Sequence, residues 1–219
     1  FVNNSGYAMW MDASAFPNNS GNLAYYNGYN GIHLDGTVNI RGMWKKDLPY
    51  IIENDILVST GVVLTLEPGI IFKSISGGFI VNGGLVANGA SNARITFTTI
   101  DDDSVGGDTN NNGNQTTPGC YNHQHINFTQ SSLASSSLTY ADLKFGYVKV
   151  TGVSPLIENN TFTSICTTAL QVESLAAPTI RNNTFSRNSS GLSISASAPI
   201  VQGNNFISNY GAAISMGVD

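Results

Sequence analysis

Asp108, Asn110 and Asn112 stand at alternate positions in the run DTNNNGN, and Gly113 follows them. Side-chain oxygens at the first, third and fifth positions of such a run converge on one point, and the glycine permits a sharp turn; this is how a calcium loop opens. An EF-hand would close on a bidentate glutamate at the twelfth position, where this chain has Gly119. Asp101, Asp102 and Asp103 lie just upstream. With a backbone carbonyl they could complete a shell of oxygens, since Ca²⁺ accepts mixed ligation. Four aspartates within eight residues repel one another unless a cation sits among them. The expected cofactor is therefore a structural Ca²⁺ pinning an excursion over residues 101–119, and the alternative is a solvated acidic loop.

Other groups capable of chemistry are sparse. Glycoside hydrolysis needs two carboxylates about 5–9 Å apart, but the four glutamates, Glu53, Glu67, Glu158 and Glu173, are widely scattered. His123 and His125 in YNHQHINF would share one face of a strand. They could bind a metal given a third ligand, or line a sugar groove with Tyr121, although surface histidines are the plainer reading. His33 carries no usable signal. Trp10, Tyr25, Tyr26, Tyr29, Trp44 and Tyr50 crowd the first fifty residues. Exposed members of that set could stack on sugar rings, while others must belong to the core or to contacts between units. Cys120 and Cys166 either bridge, if their Cα atoms lie within about 7 Å, or stand as separate thiols. Asn-x-Ser/Thr sequons begin at Asn3, Asn18, Asn114, Asn127, Asn159, Asn182 and Asn188, a set compatible with a secreted glycoprotein.

What positions these residues is a repeat. PLIENNTF from Pro155, PTIRNNTF from Pro178 and PIVQGNNF from Pro199 align without gaps, at spacings of 23 and 21 residues. A period near 22 suits a leucine-rich repeat or a β-helix coil. No stretch of helical periodicity lies between the motifs; ALQVES, GLSISAS and GAAISM read as strands of three to five residues. The expected fold is all-β: a right-handed, single-stranded parallel β-helix with coils of 21–23 residues. In such a solenoid each strand pairs with its equivalent about 4.8 Å above and below, so like residues stack. Phe162, Phe185 and Phe206 should form an internal aromatic column. Asn160, Asn183 and Asn204 should form an amide ladder at a tight bend, taking the left-handed backbone that asparagine tolerates. In that register Glu158 and Arg181 would meet as an exposed ion pair and not as part of a catalytic dyad.

The middle of the chain extends the pattern. LTLEPGIIFKSISGGFIVNGGLVANGASNARITFTT, within residues 64–99, resembles the opening coils of right-handed β-helix repeat proteins of bacterial and archaeal cell surfaces, in the pectate-lyase-like β-helix superfamily. With the NNTF coils the resemblance covers roughly residues 48–219 and implies the fold. It leaves function open, because this architecture hosts lyases, hydrolases, adhesins and fibres.

Composition narrows the choice. Charged residues are only 11% of the 219, with 26 Asn and 23 Gly, so the surface must be polar through amides and hydroxyls. The 41% hydrophobic content is enough to bury a core and argues against disorder. A net charge of −5 without a basic cluster excludes nucleic-acid binding, and no apolar run approaches the ~18 residues of a membrane span. The opening FVNNSGYAMWM aligns with FISNYGAAISM from Phe206, sharing five identities in eleven. Residues 1–47 are accordingly expected to be closing coils of a preceding-type unit, and 48–219 the opening and main coils of one β-helix unit. An uncapped β-helix end recruits another strand. The leading expectation is an extracellular or cell-surface building block of a fibre, sheath or adhesin-like array, stacked end to end on neighbouring copies or units. The competing expectations are a polysaccharide-active enzyme, lyase or hydrolase, and a carbohydrate-binding module contacting extracellular glycans.

Overall fold

In the computed structural model, residues 1–120 and 124–217 are described. They form strands of two to seven residues and, among the described residues, no helix. All named strand pairings are parallel. The chain winds through three sheets of nine, seven and eight strands, visiting each once per coil from Tyr29–Asp35 onward; the first coil, from Tyr7–Asp12, contributes a named strand to the nine-stranded sheet alone. The nine-stranded sheet runs from Tyr7–Asp12 to Asn205–Ile207, the seven-stranded one from Gly42–Trp44 to Ile200–Gln202, and the eight-stranded one from Thr37–Val38 to Ile214–Gly217. No break falls at residue 48, since Tyr29–Asp35 pairs directly with Tyr50–Ile52.

Period-two alternation fills the interior. Along the nine-stranded sheet one inward column runs Met9, Ile32, Tyr50, Phe72, Phe97, Leu143, Phe162, Phe185, Phe206. Ring centroids of Phe162, Phe185 and Phe206 lie 4.7 and 4.8 Å apart with planes within 7°. That spacing is the strand separation itself, so the backbone repeat imposes face-to-face stacking.

The corners are closed by asparagine. Asn160 donates its backbone N–H and Nδ2 to Oδ1 of Asn183 at 2.9 and 3.0 Å, and Asn183 does the same to Asn204 at 2.9 and 2.9 Å. The left-handed backbone expected at these residues sits one position earlier, at Asn159, Asn182 and Gly203, with φ of 57°, 56° and 64°. The reason is geometric: the left-handed residue reverses the chain and aims the next side chain inward, where its amide can reach the coils on either side. A second ladder, absent from the sequence-based expectation, links Ile165 N–H to Asn188 and Asn188 N–H to Asn209, both at 3.0 Å. Ser164, Arg187 and Ser208 are its left-handed residues.

This second ladder corrects one candidate glycan site. Asn188 is fully buried, and its Nδ2 donates to the Phe162 carbonyl at 3.1 Å. A glycan there would require the ladder to be dismantled. Asn3, Asn18, Asn114 and Asn182 are exposed, while Asn127 and Asn159 are half-buried.

Candidate functional site

Between the strands Ile95–Thr99 and His125–Phe128 the chain leaves the coil in the acidic excursion. The excursion lies against the outer face of the nine-stranded sheet, and every residue of Ile95–Thr99 is buried in consequence. Cys120 and Cys166 close it in a disulfide with Cα atoms 5.9 Å apart. Asp102 is held beneath it by Thr98 Oγ1 at 2.7 Å, by Ser104, and by Lys144 Nζ at 3.1 Å. Burial works to raise its pKa, but the hydrogen bonds from Ser104, Thr98 and Lys144 prevail and hold the carboxyl below the usual range. Asp103 is pushed up, first by desolvation and then by the Asp108 charge.

Lys73, which nothing in the sequence singles out, is the central group. It points outward from its strand, yet the excursion covers it completely, and Nζ donates to the Gly107 carbonyl at 2.6 Å. Desolvation brings its pKa from 10.5 down to about 8, against the pull of Asp103, Asp102, Asp108 and Asp101. Lys73 and Lys144 therefore supply part of the countercharge that the four aspartates require. Because the unfolded lysine binds its proton up to about 10.5, unfolding takes up a proton between pH 8 and 10.5, and stability should rise with pH there. The full swing is roughly 3 kcal/mol. It is readable to about pH 10, where unfolded tyrosines begin to ionise. Tyr50, raised to about 12 mainly by burial, then acts in the opposite direction. Urea unfolding in calcium-free buffer at pH 7.5 and 9.5 should show the rise in the wild type and lose it in Lys73→Met.

The loop DTNNNGN is closed partly by its own backbone: Asp108 accepts the N–H groups of Asn112 at 3.1 Å and Gly113 at 2.9 Å. Asn110 Nδ2 reaches Asp101 at 3.2 Å, bringing the two halves of the acidic sequence together. Three buried oxygens remain without a donor: Asp103 Oδ1, Asn110 Oδ1 and Asn112 Oδ1. Among the described residues no three His, Cys, Asp or Glu side chains converge as a metal cluster, so any cation here would depend on asparagine oxygens.

Alongside the excursion runs an open groove in two parts, of about 450 and 550 Å³, which share Pro118, Phe145, Ser164 and Arg187. The acidic residues and Lys144 line one part, and the disulfide and Tyr210 line the other.

All four glutamates are engaged. Glu158 and Arg181 pair at 2.8 Å, Glu173 and Lys149 at 2.8 Å, and Glu67 and Lys45 at 3.6 Å. Glu53 accepts the Tyr7 hydroxyl at 3.0 Å and meets His33 Nε2 at 3.2 Å. This trio gives His33 a setting the sequence did not disclose, and desolvation, then Glu53, raises the Tyr7 pKa. His125 lies 3.4 Å from Asp55, while its expected companions His123 and Tyr121 are outside the described residues. Of the early aromatics, Trp44 and Tyr50 are core, Tyr29 stacks on Tyr7 at 4.8 Å, and Trp10, Tyr25 and Tyr26 are exposed.

Exposed apolar residues gather at the two ends of the solenoid. Among the described residues every large one except Leu175 falls within residues 1–43 or 200–216.

With three parallel sheets wound coil on coil, the chain is a parallel β-solenoid. Residues 51–218 match the family described as right handed beta helix region, and the chain belongs to it. No curated protein and no solved structure matches.

Proposed function

We propose that this β-helix is a building block of an extracellular or cell-surface fibre, sheath or adhesin-like array, stacking end to end on neighbouring copies or units. The observation that carries this reading is the distribution of exposed apolar side chains, which are concentrated on the end coils. Unguarded parallel strand edges recruit further strands, and head-to-tail contacts that do not close into rings give open filaments. Engagement of all four glutamates speaks against a glutamate dyad. The disulfide suits an oxidising, extracellular setting. Negative-stain microscopy with sedimentation of the purified chain should show unbranched filaments about 20–30 Å wide, growing with concentration. Particles one chain long at every concentration would remove self-assembly from the account.

A second reading, carbohydrate contact, draws support from the groove bearing Arg187 and an exposed Tyr210. Unsaturated or reducing ends released from acidic polysaccharides would instead establish an enzyme.

Within the excursion we propose one structural Ca²⁺, held by Asp103, Asn110 and Asn112 with help from Asp101 and Asp108. Three donor-free oxygens in one acidic loop support it, and Lys73 opposes it. At 100-fold excess over its Kd, calcium would add roughly 2.7 kcal/mol. For a chain of this size that is a Tm rise of about 5–10 °C. Melting curves in calcium and in chelator that superimpose would remove the ion.

A further inference from the structure

The first and last coils are built alike. Asn3 and Ser208 are both left-handed, with φ of 58° and 52°. The next residue in each is a ladder asparagine. Asn4 donates N–H and Nδ2 to Asn27 Oδ1 at 3.0 and 2.8 Å, and Asn209 Oδ1 accepts Asn188 N–H at 3.0 Å. Asn27 Nδ2 reaches back to the Phe1 carbonyl at 3.1 Å, just as Asn209 Nδ2 reaches back to Phe185 at 3.0 Å. The residue after the asparagine donates to the asparagine one coil earlier in both cases, Gly28 to Asn4 and Tyr210 to Asn188, each at 2.9 Å. Five and seven residues beyond the asparagine stand Met9 and Met11 in one coil, Ile214 and Met216 in the other.

The ladder has a direction. In every rung the asparagine nearer the N-terminus donates and the one nearer the C-terminus accepts. Among the described residues, Asn4 Oδ1 has no donor and Asn209 N–H has no acceptor. The free acceptor at one end therefore matches the free donor at the other. Among the described residues the inward columns Leu170–Leu192–Ile214 and Val172–Ile194–Met216 end at Ile214 and Met216, with Met216 80% exposed. Residues 188–217 contain no charged side chain, and the edge strand Tyr7–Asp12 has only Asp12 at its last position, so few charges guard either strand edge.

We propose that the last coil receives the first coil of a second copy, with Phe1 over Phe206, Asn4 over Asn209, Met9 over Ile214 and Met11 over Met216. This rests on the reading that units stack end to end, and it names the contact. Tyr7–Asp12 belongs to the nine-stranded sheet and Ile214–Gly217 to the eight-stranded one, so the second copy is turned by one face about the solenoid axis. The unturned register, which would lay Tyr7–Asp12 on Asn205–Ile207, is disfavoured. Asn204 lies two residues before Phe206 but Asn4 five before Met9, so that ladder would be out of step.

In the turned register Trp10 follows Ser193 and Ser215 in one outward column. Paired positions of neighbouring parallel strands are about 4.8 Å apart, within disulfide range. Trp10 and Ser215 are both exposed, so Trp10→Cys with Ser215→Cys leaves the fold intact. On oxidation this pair should give a reducible ladder of covalent multimers, with the disulfide-linked peptide joining positions 10 and 215 identified by mass spectrometry. Trp10→Cys with Ile207→Cys, the unturned pair, should give at most dimers, as should each single variant. Met216→Lys, which changes an exposed side chain of the free coil, should weaken assembly by at least about tenfold. Multimers from the Trp10/Ile207 pair alone overturn this contact and leave end-to-end stacking standing. Monomers throughout, with neither pair cross-linking, overturn both.

Discussion

Asn183→Ala should destabilise the protein by roughly 3–5 kcal/mol, a loss of about 10 °C in Tm. The side chain is 1% exposed and makes four hydrogen bonds through its amide. Its Oδ1 accepts the backbone N–H and Nδ2 of Asn160, and its Nδ2 donates to the Ile157 carbonyl and to Asn204 Oδ1. Alanine removes all four and leaves the Asn160 N–H unpaired where water has little access, while the Ile157 carbonyl keeps its place in the sheet ladder. Such a buried orphan costs about 1–3 kcal/mol. Asn183→Asp is no remedy, because it keeps the acceptor, loses the donors and adds a buried charge. Asn204→Ala, at the ladder's last rung and half-buried, should cost less, about 1–2 kcal/mol, since it gives up three hydrogen bonds and its removal opens the Asn183 N–H to water through the last coil. Urea unfolding of the three variants checks the ordering. If Asn183→Ala and Asn204→Ala cost the same, the ladder is not what closes this corner.

The contrast between these two asparagines also shows how far the sequence can be read. The repeat PLIENNTF, PTIRNNTF, PIVQGNNF implies three stacked coils because equal spacing in the chain becomes superposition in a solenoid. From that step the Phe162–Phe185–Phe206 column and the Asn160–Asn183–Asn204 ladder follow, and both are present. What spacing does not reveal is which of two adjacent asparagines turns the chain and which points inward; φ places the turn at Asn159 and Asn182. The second ladder is hidden because its first rung is occupied by Ile165, which uses only a backbone N–H, so no column of three asparagines appears. Asn188 therefore reads as a surface sequon although it is core. Lys73 is illegible for a different reason. Strand alternation turns it outward, and only the excursion over residues 101–119, well downstream in the chain, converts that outward face into an interior. Alternation predicts the face a side chain takes and cannot predict what later covers it. The same limit applies to FVNNSGYAMWM and FISNYGAAISM: their likeness is visible in the letters, but the sheet each joins depends on pairings made elsewhere.

Because the strands of each coil pair only with those of its neighbours, apart from what the excursion over residues 101–119 ties together, damage to one column of the later coils should spread in one dimension. Phe185 is fully buried and stacked on both faces, 4.7 Å from Phe162 and 4.8 Å from Phe206. Phe185→Ala should cost roughly 3–5 kcal/mol, the range for removing a buried aromatic with incomplete collapse of the cavity. Collapse is hindered here because hydrogen-bonded sheets above and below fix the strand spacing. Phe206, covered on one face only and half-buried, should lose about half as much when truncated. The more discriminating readout is where protection is lost. In Phe185→Ala, amide exchange should accelerate through residues 176–217, whose coils rest on the damaged one, while 51–75, buried beneath the Tyr50–Phe72–Phe97 segment, should keep wild-type protection. Uniform acceleration along the whole chain would mean that the solenoid unfolds as a single cooperative unit. A coil-by-coil gradient would mean that the end coils are the labile ones, which is the behaviour expected of surfaces completed by a docked neighbour.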